Sequence, residues 1–93
     1  MVYNVIIKPE AEIELFEFLN WYKSKGVDLP VKFYKAVHQQ LMIIEKTPFL
    51  FQIKYKEFRV AYTNKFNYGI HFTIELNTIY IHAFLHSKRQ PLV

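Results

Sequence analysis

An α+β domain in the order β-α-α-β-β-β, with a two-helix hairpin packed on one face of a mainly antiparallel sheet, follows from three features of this sequence. A short β-branched and aromatic segment precedes Pro9, apolar residues recur at helical spacing up to Pro48, and beyond Pro48 the apolar period changes to two. No repeat, low-complexity tract or Gly/Ser linker interrupts the 93 residues, so the chain reads as one domain, 1–93.

The first strand is expected from Val2 to Lys8, ending at Pro9, which cannot donate to a ladder but suits the first turn of a helix. From Pro9 to about Lys25, Ile13, Phe16, Leu19 or Asn20, and Trp21 mark the expected inner face. Glu10, Glu12, Glu14 and Glu17 crowd the N-terminal end, where they oppose the positive end of the helix dipole. Gly26 closes this helix, and Val27-Asp28-Leu29-Pro30 opens an antiparallel second one. There Phe33, Val37, Leu41 and Ile44, flanked by Ala36 and Ile43, form the buried stripe, with His38 at its boundary.

Three half-buried strands follow. Phe58, Val60 and Tyr62 form one apolar row, Tyr68 to Leu76 a second, and Ile79, Ile81, Ala83 and Leu85 a third. A two-residue turn at Asn77-Thr78 pairs Ile74 with Ile81 and Phe72 with Ala83; a three-residue loop at Lys65-Phe66-Asn67 sets Val60 against Phe72. The helices cover that face. The opposite face then carries Arg59 with Thr73 and His82, Ala61 with His71 and Phe84, and Thr63 with Gly69 and His86. Such a face is either an ordinary solvated sheet surface or one that engages phosphate through arginine, bases by stacking and protons by histidine.

Composition narrows the chemistry. The net charge of +4 is uneven: residues 1–28 hold three Lys against four Glu and one Asp, and residues 29–93 hold nine Lys or Arg against three Glu. That asymmetry suits a polyanion or an acidic protein segment, or serves only solubility. Nine Phe, seven Tyr and one Trp require an aromatic-rich core, exposed rings, or both. The absence of cysteine excludes disulfides, thiolate metal sites and cysteine nucleophiles. The spacing of His71, His82 and His86 matches no zinc pattern, and no Gly-rich phosphate loop or Ser/His/Asp order is present, so neither metal nor cofactor is expected. No apolar run approaches the roughly 20 residues of a membrane span. The start, Met1-Val2-Tyr3-Asn4, lacks the regions of a signal peptide, so a cytoplasmic protein without a membrane partner is expected.

The blocks Val5-Ile6-Ile7-Lys8-Pro9-Glu10-Ala11, Trp21-Tyr22, Phe33, Arg59, Lys65-Phe66-Asn67-Tyr68, Phe72 and Leu85-His86-Ser87-Lys88-Arg89-Gln90-Pro91 resemble, in order and spacing, the RelE/ParE toxins of type II toxin–antitoxin systems, also labelled plasmid stabilisation proteins. Asn67 replaces the family's usual proline and Gln90 its usual Asp or Asn, and a strand arginine used in RelE-type mRNA cleavage falls at Gly69. The resemblance implies a growth-inhibiting toxin and a cognate antitoxin. It implies as target either DNA gyrase, in the ParE manner, or the ribosome with its mRNA, in the RelE manner; a non-toxic antitoxin-binding relative is the third reading. The missing arginine favours the gyrase reading. For cleavage the expected catalytic set is Arg59, His86 and Arg89, metal-independent, with His86 or a lysine moving the proton of a 2′-hydroxyl attack. Lys54, Lys56, Lys65, His71, His82 and Lys88 are the expected nucleic-acid or target contacts.

Overall fold

A computed structural model describes residues 3–86. Strand β1 (Asn4–Ile7) leads into helices α1 (Pro9–Lys25) and α2 (Leu29–Lys46), followed by a 3-10 turn (Pro48–Leu50) and strands β2 (Ile53–Tyr55), β3 (Phe58–Tyr62), β4 (Tyr68–Glu75) and β5 (Thr78–His86). The sheet order is β1-β5-β4-β3-β2, with β1 parallel to β5 and every other pair antiparallel. The expected architecture is present, with one edge strand, β2, added. Three residues give too little alternation to be read from sequence.

The α1–α2 hairpin buries one face of the sheet. From α1, Ala11, Leu15 and Tyr22 point inward, with Phe18 and Leu19 packed behind them. The expected inner residues Ile13, Phe16 and Trp21 are more than half exposed. Apolar side chains occur on every side of α1, so periodicity alone does not select its inner face; the rings of Tyr22 and Phe18 do, through edge-on and tilted ring contacts with Phe33 and Tyr68 at 4.7–6.4 Å. Burial and hydrogen bonding to Tyr68 push the Tyr22 hydroxyl's pKa well above its ordinary value. In α2 most of the expected stripe holds: Phe33, Ala36, Val37 and Ile44 are buried and Leu41 is partly buried, but the expected flank Ile43 is 42% exposed; His38 is at the surface, stacked on Tyr34.

The strand registers differ from expectation in three places. The β3–β4 loop has four residues, because the Thr63 amide donates to the Tyr68 carbonyl at 2.8 Å and encloses Asn64 to Asn67. Phe66 and Asn67 adopt φ of 72° and 57°, and the Phe66 ring reaches 5.1 Å from Tyr22 and 5.5 Å from Phe33. One extra loop residue inverts the faces of β3. Arg59 therefore pairs with Phe72 and Ala61 with Ile70 on the helix side, while Val60 faces His71 and Tyr62 faces Gly69 on the outer side. The β4–β5 turn lies at Leu76-Asn77, pairing Ile74 with Ile79 and Phe72 with Ile81. Within β5, His82 is left without a partner between Ile81 and Ala83, a bulge that reverses the faces beyond it. Phe84, fully buried, pairs with Ile70 in the core, and Leu85 pairs with Gly69 outside.

Candidate functional site

The outer sheet face gathers a histidine–aromatic cluster by these registers. Tyr55 from β2 and Phe58 from β3 stack at 4.9 Å, the Tyr55 hydroxyl lies 2.8 Å from His71 Nδ1, and the Phe58 ring meets His82 edge-on at 4.8 Å. Thr73 Oγ1 lies 2.8 Å from His82 Nε2. The bulge places His82 on this side together with Ala83, the partner of His71. Burial lowers the pKa of His71. Burial, then the Lys8 cation, lowers that of His82, opposed by Glu10. Both imidazoles are therefore held neutral near pH 7, able to accept a proton but not to act as fixed cations.

Of the expected residues, His71 and His82 share this cluster. Arg59 does not: its Nη1 donates to the Phe51 carbonyl at 2.6 Å, and its guanidinium sits 5.0 Å from the Phe49 ring centre, pinning the segment before β2. His86 pairs with Tyr68 and meets its ring edge-on at 5.2 Å, on the helix side at the far end of β5. The expected rows Arg59–Thr73–His82, Ala61–His71–Phe84 and Thr63–Gly69–His86 are thus broken, because the four-residue loop turns β3 over and the bulge turns the end of β5 over. Lys54 is exposed on β2, Lys56 in the β2–β3 turn with φ of 47°, and Lys65 in the β3–β4 loop. Lys54 and Lys56 stand together at the β2 edge, and Lys65 lies at the other end of β3. Lys88 and Arg89 lie outside the described residues.

Arg59 and His86 are also far apart. Their partners on β4, Phe72 and Tyr68, are four residues apart, about 13 Å along the strand, and β3 and β5 flank β4 on opposite sides, about 10 Å across. The members of the cluster that sequence reasoning missed are Tyr55 and Phe58. Phe58 was legible as part of an alternating strand but was placed on the wrong face; Tyr55 carried no signal of its own. Gly69 has a structural role here: a β-carbon on it would fall 2.9 Å from Val60 Cγ1 and 3.3 Å from both His71 Nε2 and Tyr62 Cε1. The ring of His71 therefore occupies space that a side chain at position 69 would need. Among the described residues no group of three or more His, Cys, Asp or Glu is arranged to hold a metal ion. No described helix is long and apolar enough to cross a membrane.

No protein-family model matches the chain. No curated protein matches it either. A solved structure described as the chromosomal ParDE TA system from P. aeruginosa contains a chain that superposes with a TM-score of 0.81, covering 94% of this chain and 98% of that one at 11% sequence identity. The likeness is one of fold. The RelE/ParE-like fold expected from the sequence blocks is present.

Proposed function

We propose that this chain is the toxin component of a bacterial type II toxin–antitoxin system, that it acts on DNA gyrase in the ParE manner, and that a cognate antitoxin neutralises it in the cytoplasm. The observation that carries this reading is the near-complete superposition on a chain of a ParDE system, joined to sequence blocks in the order typical of such toxins. Gyrase is favoured over mRNA by the site geometry. A nuclease needs its phosphate-binding and proton-transferring groups within reach of one phosphodiester. Arg59 is engaged at the Phe51 carbonyl, His86 lies at the other end of the sheet, and Gly69 offers no side chain.

The test is induced expression without an antitoxin, with labelled thymidine and labelled amino acid followed in parallel. Early loss of thymidine incorporation while translation continues is expected. Early loss of translation overturns the gyrase target in favour of RNA cleavage, and no loss of either overturns the toxin reading. His86→Ala is expected to retain toxicity. Arg59→Ala is expected to lose it together with folded protein, seen by circular dichroism, because the arginine ties down the Phe51 segment.

A further inference from the structure

Helix α1 carries two apolar faces. Ala11, Leu15 and Tyr22 fill the inner one, while Ile13, Phe16 and Trp21 stand on the opposite side of the helix, exposed by 59%, 57% and 53%. At about 100° per residue these three lie within an arc of about 140° that looks away from the sheet. Large apolar side chains gathered on one solvent-facing arc mark an interaction surface. The charges on its flanks are sorted along the helix, with Glu10 and Glu12 in the first turn and Lys23 and Lys25 in the last. Glu10 and Lys25 flank the arc on the side of Trp21, whose ring centre lies 5.2 Å from the Lys25 ammonium. Glu12 and Lys23 flank it on the side of Phe16. Both Glu–Lys pairs have the same midpoint, between Glu17 and Phe18.

From this arrangement we infer that the outward face of α1 is a self-association surface, on which a second copy of this chain packs its own α1 antiparallel about a twofold axis passing between Glu17 and Phe18. A twofold axis perpendicular to the helix reverses its direction and leaves each flank facing the same flank of the copy. Glu10 then meets Lys25 of the second copy and Glu12 meets its Lys23, each pair occurring twice, while Ile13, Phe16 and Trp21 interleave along the seam. A parallel pairing instead sets Glu against Glu and Lys against Lys. The charge pattern thus selects both the occupant and its direction. Nucleic acid and anionic lipid fit less well, because half of the face presents carboxylates to them. Seventeen residues of helix give a contact about 25 Å long, and Glu17 faces its own copy near the axis, so the pair is reversible and depends on concentration. Such pairing is separate from whatever the chain acts on.

Sedimentation of the full chain from micromolar to millimolar concentration is expected to show a monomer–dimer equilibrium. Phe16→Ser, at an exposed position, should weaken it about tenfold or more, and Glu17→Gln, which removes the like charge at the axis, should tighten it. The charge-reversed variants Glu10→Lys/Glu12→Lys and Lys23→Glu/Lys25→Glu should each stay monomeric alone and form a heterodimer when mixed. Circular dichroism checks that every variant is folded; should a charge reversal unfold the chain, Phe16→Ser and two cysteine variants still decide. The sequence has no cysteine, so an introduced one reports direction. Glu17→Cys, near the axis, should form a disulfide with its own copy, whereas Ser24→Cys should not, because antiparallel packing sets its copy about 20 Å away along the helix. A monomer at every concentration, association untouched by Phe16→Ser, no heterodimer from folded mixed variants, or equal crosslinking of the two cysteine variants each overturns the inference. Amide shifts over α1 caused by an oligonucleotide or by anionic vesicles, with no dimer formed, give the face to another occupant and overturn it as well.

Discussion

The carboxylate of Glu14, on α1, accepts a hydrogen bond from the backbone amide of Phe84 at 3.1 Å, across seventy residues of sequence. Phe84 is two residues past the unpaired His82, so the contact joins the helix layer to the strand just where the bulge has turned its faces over. A carboxylate is a strong acceptor, and removing it takes an acceptor from an amide inside the packed layer. Glu14→Ala is expected to destabilise the fold by about 1–3 kcal/mol, and Glu14→Gln, which keeps an acceptor oxygen, by less. Urea unfolding midpoints measure both, and faster hydrogen exchange at the Phe84 amide locates the effect.

Gly69 is fixed by crowding, its φ not being positive. Gly69→Ala places a methyl group 2.9 Å from Val60 Cγ1 and against the rings of His71 and Tyr62. The strand must shift or His71 must leave its contact with Tyr55. A loss of about 1–3 kcal/mol is expected from such overpacking, together with altered His71 imidazole resonances. An unchanged melting temperature and spectrum contradict the contact.

Stability should fall on mild acidification. His71 and His82 have folded pKa values below 6.5, their ordinary value, chiefly because burial disfavours the imidazolium. Between the folded value and 6.5 the unfolded chain binds protons that the folded chain refuses, so stability rises with pH through that window. The contribution is complete above 6.5 and is lost as pH falls towards the folded values. Unfolding midpoints measured from pH 5 to 7.5 should show this slope, and His71→Asn should reduce it; a slope unchanged in that variant removes His71 as a source.

Leu76, at the β4–β5 turn, has φ of 57° and is 92% exposed. A leucine there bears the steric cost of the left-handed region with almost no burial in return. Leu76→Gly is expected to stabilise the fold by about 0.5–1 kcal/mol, less than the full relief because glycine loses more chain entropy on folding. A raised melting temperature checks it, and a lowered one shows that Leu76 is held by packing.

The order of elements, both helix boundaries, the buried stripe of α2 and the pairing of β3, β4 and β5 were legible because each rests on a local signal. Pro9 and Gly26 bound α1, Pro48 follows the end of α2, and apolar periods distinguish helix from strand. The inner face of α1 was not legible, since Ile13 and Phe16 are as apolar as Leu15 and Phe18. The choice between them is made by the aromatic contacts of Phe18 and Tyr22 with residues distant in sequence.

The candidate site shows the same division more sharply. The sequence by itself determined that His71 and Thr73 alternate with core residues of β4, and that Arg59 and Val60 point to opposite sides of β3. Only the tertiary structure decided which side was which. A strand repeats every two residues, so one added loop residue or one bulge exchanges its faces completely. Phe66, reaching from the loop to Tyr22 and Phe33, accompanies the four-residue turn that sends Arg59 to the helix side. The unpaired His82 sends Phe84 into the core and leaves Ala83 and Leu85 on the outer face. Both depend on contacts between residues far apart in the chain, which no local pattern encodes.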